Sequence, residues 1–224
     1  MTVHSSKFLV ADSRPFEISK KRKGLYASGL KRALDLLFVI AALPFLVPFF
    51  LIVSALIATD GHSPFFRQER IGRNGRRFGM WKFRTMVPDA EAELERYLAE
   101  NPAARAEWDS KQKLAKDPRI TKVGRILRRT SMDELPQLLN VLSGDMSIVG
   151  PRPMMTNQQA LYPGHGYYRL RPGLTGSWQV SSRNESTFAE RATFDDAYEN
   201  ELSFATDARI IAKTVGVVVR CTGV

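Results

Sequence analysis

The stretch LLFVIAALPFLVPFFLIVSALIAT, from Leu36 to Thr59, carries no charged side chain, and Pro44 and Pro48 interrupt it. An uncharged run of that length reads as a membrane segment, since a straight helix rising about 1.5 Å per residue would cross the roughly 30 Å hydrocarbon core. The prolines argue against a straight helix. Pro48 has no amide hydrogen for the carbonyl of Pro44, and Pro44 leaves the carbonyl of Ile40 without a donor, so the middle should kink sharply. Both flanks are basic: Lys20, Lys21, Arg22, Lys23, Lys31 and Arg32 precede the run, and Arg67, Arg70, Arg73, Arg76, Arg77, Lys82 and Arg84 follow it. Short Lys/Arg-rich flanks stay on the cytoplasmic side. The favoured reading is therefore a re-entrant hairpin that bends at Pro44 and Pro48 and leaves on the side it entered. A kinked spanning helix is the alternative. A buried helix of a soluble domain fits less well, because the run shows no polar face.

The 224 residues divide into a basic tail (1–30), the membrane segment (31–60) and one domain (61–224), which is long enough for a single core. The formal net charge of +10 calls for anionic partners. Anionic phospholipid and phosphorylated metabolites suit the apolar segment better than nucleic acid does. Cys221 is the one cysteine, so an intrachain disulfide is impossible, and His4, His62 and His165 are too scattered for a zinc site. The apolar run is too long and starts too late for a cleavable secretion signal.

Asn74-Gly75 between the β-like runs Phe65–Ile71 and Phe78–Met86 predicts a hairpin, because both residue types tolerate positive φ. Trp81, Phe83 and Thr85 should share one face of the second strand, and Lys82 and Arg84 the other. Asp89 to Lys116 reads as two surface helices divided at Pro102, and a short apolar helix should end at Gly144. Gly150-Pro151-Arg152-Pro153 and Arg171-Pro172-Gly173 read as rigid loops. One or two helices follow Phe188, the last over Ala208 to Val219, apolar enough to rest on the membrane interface.

The adjacent acids Asp133 and Glu134 are the strongest catalytic candidates. Ser131 and Glu134 have capping-box spacing, which would set both acids in a first helical turn, where free amides favour an ionised nucleophile or metal ligand. Pro136 strains that picture unless the helix starts later or kinks. The plainer alternative is that the two acids only cap a surface helix. Arg125, Arg128, Arg129, Arg152 and Arg171 lie in the same stretch, and guanidinium forks bind phosphate oxygens in pairs. A carboxylate pair, a divalent metal and arginines suit phosphoryl transfer. No Walker A or dinucleotide-binding glycine pattern is present.

At these residues the sequence resembles the monotopic phosphoglycosyl transferases, bacterial enzymes that start glycan assembly on polyprenyl phosphate. The likeness runs from Lys31 to Thr214. It rests on ordered blocks: Lys31-Arg32 with Asp35, Phe66-Arg67-Gln68-Glu69-Arg70, Lys82-Phe83-Arg84-Thr85-Met86, Asp133-Glu134-Leu135-Pro136-Gln137, Gly144 to Pro153, and Arg171 to Gly176. The length resembles the minimal catalytic form, initiating exopolysaccharide synthesis.

The resemblance implies transfer of hexose 1-phosphate from a UDP-sugar to undecaprenyl phosphate, with release of UMP. In it Asp133 is the nucleophile of an aspartyl phosphosugar intermediate, and Glu134 is its partner, the two acids holding Mg2+. Arg128 and Arg152 contact phosphate, with Lys82, Arg84 and Arg171 as weaker candidates. The implied fold is mixed α/β, mainly helical with a small β-hairpin. It is a monotopic membrane protein with a proline-broken re-entrant helix and interfacial amphipathic helices, on the cytoplasmic face of the bacterial inner membrane, with a homodimer compatible. The chain departs from the family at Val47-Pro48, where a Ser-Pro is usual, and at Ser181-Ser182-Arg183-Asn184, a stretch that with Glu185 bears on sugar choice. Its C-terminal part resembles members using UDP-galactose or UDP-glucose. The competing classes are a non-catalytic membrane scaffold and, on the pI near 9.9 alone, a nucleic-acid binder.

Overall fold

A computed structural model describes residues 24–111, 113–181 and 187–219. The basic cluster Lys20–Lys23, the divergent stretch from Ser182 to Glu185, and Cys221 lie outside the described residues.

The apolar run forms one continuous helix, α1 (Lys31–Ile57), with Pro44 and Pro48 inside it. The sequence expectation of a helix broken at the prolines is corrected to that extent. Each proline removes a single amide donor, and the turns on either side keep the ladder going. The helix is long and apolar enough to cross a membrane. One stripe along it faces protein. Val39 and Leu46 join the main core, while Phe49, Phe50, Val53 and Ile57 pack with Phe65, Phe83 and Leu127. The other faces leave Leu37, Phe38, Ile40, Phe45, Val47, Leu51, Ile52 and Leu56 exposed. Hydropathy counts both sets alike, so only packing separates them.

Both ends of α1 are fastened to the same domain. Near the N-terminus the buried Asp35 carboxylate accepts from Ser147 Oγ at 2.7 Å and from the Ile148 amide at 3.1 Å. Arg32 donates to the carbonyls of Val141 and Leu142. Past the C-terminus, Arg84 grips both carboxylate oxygens of Asp60 at 2.7 Å and the carbonyl of Ser63 at 2.7 Å.

The expected hairpin is present as β1 (Phe65–Ile71) and β2 (Arg77–Phe83), paired antiparallel with Phe65 opposite Phe83 and Ile71 opposite Arg77. Asn74 at φ 59° and Gly75 at φ 74° turn the chain as the sequence predicts. The surface helices α2 (Ala90–Glu100) and α3 (Pro102–Lys111) part at Asn101, where the following proline cannot continue a helix. α4 (Lys122–Arg129) is capped by Thr121, whose Oγ1 accepts from the Gly124 amide at 2.9 Å. α5 (Gln137–Ser143) ends at Gly144, φ 91°, where glycine meets the left-handed stop.

The two expected loops, Gly150–Pro153 and Arg171-Pro172, are present as irregular chain. They adjoin β3 (Ser147–Val149) and β4 (Gly173–Thr175), a short parallel pair that the sequence does not announce. Three-residue strands among prolines leave no alternation to read. α6 (Gly166–Arg169), α7 (Arg191–Asn200) and α8 (Phe204–Val219) complete the chain. α8 starts before the apolar run because the buried Asp207 anchors it, accepting from Tyr26 and Tyr198 hydroxyls at 2.6 Å and pairing with Lys31.

Candidate active site

Asp133 and Glu134 sit where α4 gives way to α5. The capping box is not formed: Ser131 adopts φ 56° and makes no side-chain cap, and Met132–Glu134 is a single 3-10 turn. α5 starts later, with Pro136 at its N-cap, where a missing amide does no harm. Ser131 in the left-handed region stores modest strain, which the packed turn around it must hold. The result aims Asp133 inward, 9% exposed, with Glu134 beside it.

β2 supplies the cation. Lys82 Nζ lies 2.7 Å from Glu134 Oε1 and 3.8 Å from Asp133 Oδ2. Its position is fixed from below by Asn140 of α5. The Asn140 amide donates to the Gly79 carbonyl at 2.9 Å, and its oxygen accepts from the Trp81 amide at 2.9 Å. A buried asparagine thus completes the free edge of β2 as a neighbouring strand would. The sequence reading missed Asn140; a lone amide in the apolar run Leu138 to Leu142 is the signal that points to it.

Arg128, from the last turn of α4, donates from Nε to Thr85 Oγ1 at 2.9 Å. Arg152, on the Pro-Arg-Pro turn, lies 5.7 Å over the Trp178 ring. Two clefts meet at this point. The larger, about 1080 Å³, is lined by Asp133, Glu134, Lys82, Arg128 and Arg152 along with residues of β1 and α2. The smaller, about 130 Å³, shares Glu134, Lys82 and Arg152 and adds Arg70, Gln179 and Arg191. Of the predicted site residues, Asp133, Glu134, Lys82, Arg128 and Arg152 come together. Two others take structural work instead. Arg84 borders the large cleft, but its donors are directed to Asp60, Ser63 and nearby carbonyls. Arg171 donates from Nε to the Gly144 carbonyl at 2.8 Å and lines neither cleft. Arg70 and Arg191 were not predicted as site residues: Arg70 stands in the Phe66–Arg70 block with no role assigned to it, and among so many basic residues nothing in the sequence singles out Arg191.

The two acids are driven apart electrostatically. Burial pushes the Asp133 carboxyl above the ordinary aspartate range and Glu134 adds to it, while Lys82 and Arg128 oppose. Burial also acts against Glu134, but Lys82, Arg152 and Arg70 outweigh it and hold that carboxyl below its ordinary value. Paired carboxyls pushed in opposite directions are the usual mark of divided roles. Among the described residues no cluster of three or more His, Cys, Asp or Glu exists. Asp133 and Glu134, side by side in the cleft wall, offer carboxylate oxygens to a hard cation. Two oxygen ligands fit Mg2+, which completes its shell with water and substrate phosphate, and Lys82 would then share Glu134 with it.

Residues 26–221 match the model of the bacterial sugar transferase family. The chain is 44% identical over 196 residues to a UDP-galactose-lipid carrier transferase of Erwinia amylovora, covering 87% of this chain and 41% of that protein. It is 47% identical to the exopolysaccharide production protein ExoY of Sinorhizobium fredii, covering 83% of each. It is 43% identical to an undecaprenyl-phosphate galactose phosphotransferase of Salmonella typhimurium, covering 87% of this chain and 41% of that one. The chain therefore spans about two fifths of the first and third relatives and most of the second.

Proposed function

The chain belongs to the bacterial sugar transferase family, and from that premise we propose that it moves hexose 1-phosphate from a UDP-sugar to undecaprenyl phosphate, releasing UMP, as the first membrane step of exopolysaccharide synthesis. UDP-galactose is the favoured donor, with UDP-glucose next, because two relatives are named for galactose or its UDP form and a lipid carrier. The observation that carries the reading is the pair Asp133–Glu134, with pKa values moved in opposite senses, seated between Lys82, Arg128 and Arg152.

In the proposed reaction a carboxylate oxygen of Asp133 attacks the sugar-bearing phosphorus of the donor. The bond from that phosphorus to the bridging oxygen breaks, and UMP leaves with the electron pair. An oxygen of undecaprenyl phosphate then attacks the same phosphorus, the aspartyl–phosphate bond breaks, and Asp133 returns as carboxylate. Lys82 and Arg152, reaching both clefts, offset charge on the phosphoryl group throughout. Mg2+, held by Asp133 and Glu134, would supply further charge neutralisation at the phosphates. A covalent intermediate lets a soluble nucleotide sugar and a lipid use one small site in turn.

A lipid acceptor requires the site to meet the membrane surface. The anchoring of both ends and the middle of α1 on one domain supports a monotopic arrangement, with the exposed leucine and phenylalanine faces in lipid and the basic flanks on the cytoplasmic side. Cysteines introduced at Ser28 and Gly61 should be labelled from the same side in intact cells; labelling from opposite sides would overturn this topology.

The activity is tested by UMP release across a panel of UDP-sugars with undecaprenyl phosphate and magnesium. A non-catalytic scaffold would bind UDP-sugar and release no UMP with any donor.

A further inference from the structure

The small cleft holds more positive charge than the attack by Asp133 requires. Arg70 is 8% exposed; its Nη2 donates to Gln68 at 2.6 Å, and its Nε is buried without a partner. Arg191, the first residue of α7, lies 4.1 Å over the Trp178 ring and 4.8 Å from the Phe188 ring. Its Nε is also buried and unpartnered, as is Oε1 of Gln179 beside it. Burial and then Arg152 push both guanidinium groups below the ordinary arginine range. Asp195, the acid that offsets Arg191, accepts from the Tyr162 hydroxyl at 2.6 Å, and burial drives its own pKa up to about 7. Two buried N–H donors without acceptors, next to a third arginine, are unfavourable unless an anion takes them up. Guanidinium forks bind phosphate oxygens in pairs.

The division of residues between the clefts gives that anion a place in the reaction. Asp133 and Arg128 line the large cleft and not the small one, whereas Arg70 and Arg191 line the small cleft and not the large one. A phosphoryl group within reach of Asp133 sits at the junction, against Lys82, Glu134 and Arg152. In-line displacement sends the leaving oxygen away from Asp133, toward the small cleft. The second displacement admits its attacking oxygen from that same side.

We propose that Arg70 and Arg191, with Arg152 shared between the clefts, form one phosphate subsite used twice: first for the phosphate of departing UMP, then for the phosphate of the lipid acceptor. This rests on the transfer reading above and adds to it the residues that receive both phosphates. In the first use the subsite takes the dianionic phosphate that carries away the bridging oxygen. In the second it holds the lipid phosphate while one of its oxygens forms the new diphosphate bond and Asp133 is released.

The test uses the full chain with Arg191→Gln, Arg191→Lys and Arg70→Gln. UMP binding is measured by calorimetry, and KM is determined for UDP-galactose and undecaprenyl phosphate. Loss of a charge-assisted phosphate contact should weaken UMP binding by about tenfold or more. Arg191→Gln should raise both KM values by similar factors, while label still accumulates on the protein at saturating donor. Arg191→Lys, which keeps the charge and loses the fork, should fall between. Arg70→Gln removes a buried residue, so thermal melting accompanies it, and the Arg191 variants carry the decision if it fails to fold. UMP binding at the wild-type level in Arg191→Gln, or a KM change confined to one substrate, would overturn the subsite. If the wild-type chain binds UMP through Arg191 yet no UDP-hexose yields UMP, the transfer reading falls and the phosphate site stands.

Discussion

Asp133→Asn is expected to reduce UMP release by about a thousandfold or more and to abolish transfer of labelled sugar phosphate to the protein. Asparagine keeps the shape of the side chain but cannot form the acyl phosphate, so both half-reactions stop together. The same change should not harm the fold. Burial raises the Asp133 pKa, so the site resists the ionised carboxylate. Between the unfolded and folded pKa values the native state binds the extra proton, and stability falls as pH rises through that window. Removing the charge should therefore leave the melting temperature at pH 7.5 unchanged or slightly higher. The pH profile carries a matching signature. In the wild-type chain, single-turnover labelling should rise with pH as the Asp133 carboxyl ionises, since only the carboxylate attacks. Glu134, held low mainly by Lys82, is ionised throughout that range. Turnover by Asp133→Asn within tenfold of wild type would remove Asp133 from the nucleophile role.

That Asp133 could be chosen from the sequence, while half of its arginine surroundings could not, has a physical reason. Adjacent acids between basic turns are rare enough to stand out, and Lys82, Arg128 and Arg152 gather around them as the motif order implies. The hairpin was equally legible, because Asn74 and Gly75 are among the few residue types that accept the backbone angles its turn needs. Arginine is harder to place. Its side chain reaches far enough to bind a ligand or a backbone carbonyl, and the sequence does not say which. Arg84 and Arg171 hold loops, whereas Arg70 and Arg191 turn their guanidinium groups into the small cleft. The capping box failed for a local reason. Ser131 is used to reverse the chain at positive φ, and that conformation takes its hydroxyl away from the amides it was expected to cap. The β3–β4 pair was hidden by its brevity. The packing of α1 was hidden because residues facing lipid and residues facing the core are both apolar. Its polar anchor, Asp35, lay in plain view just before the uncharged run, but its partners Ser147 and Ile148 are more than a hundred residues away.

Gly124→Ala should cost both stability and activity, against what helix propensity alone predicts. Glycine to alanine in an exposed helix interior gains about 1 kcal/mol. At Gly124 a Cβ would lie 2.1 Å from the Thr85 carbonyl oxygen and 2.8 Å from the Thr85 Cα, all backbone that cannot swing aside. The seam has little room to adjust. The Thr121 amide donates to that same Thr85 oxygen at 3.0 Å, the Val87 amide donates to the Arg119 carbonyl at 2.9 Å, and Arg128 Nε holds Thr85 Oγ1 at 2.9 Å. α4 would therefore have to retreat from the strand end, carrying Arg128 away from the wall it shares with Asp133. Overpacking of this kind costs roughly 1–3 kcal/mol. A displacement of about 1 Å at a group that orients phosphate can lower kcat/KM by about a hundredfold. Gly216→Ala in α8, where a Cβ would meet nothing within 4 Å, is the control and should raise the melting temperature. If Gly124→Ala instead matches that control in stability and retains full UMP release, the close approach of α4 to Thr85 is not what places Arg128.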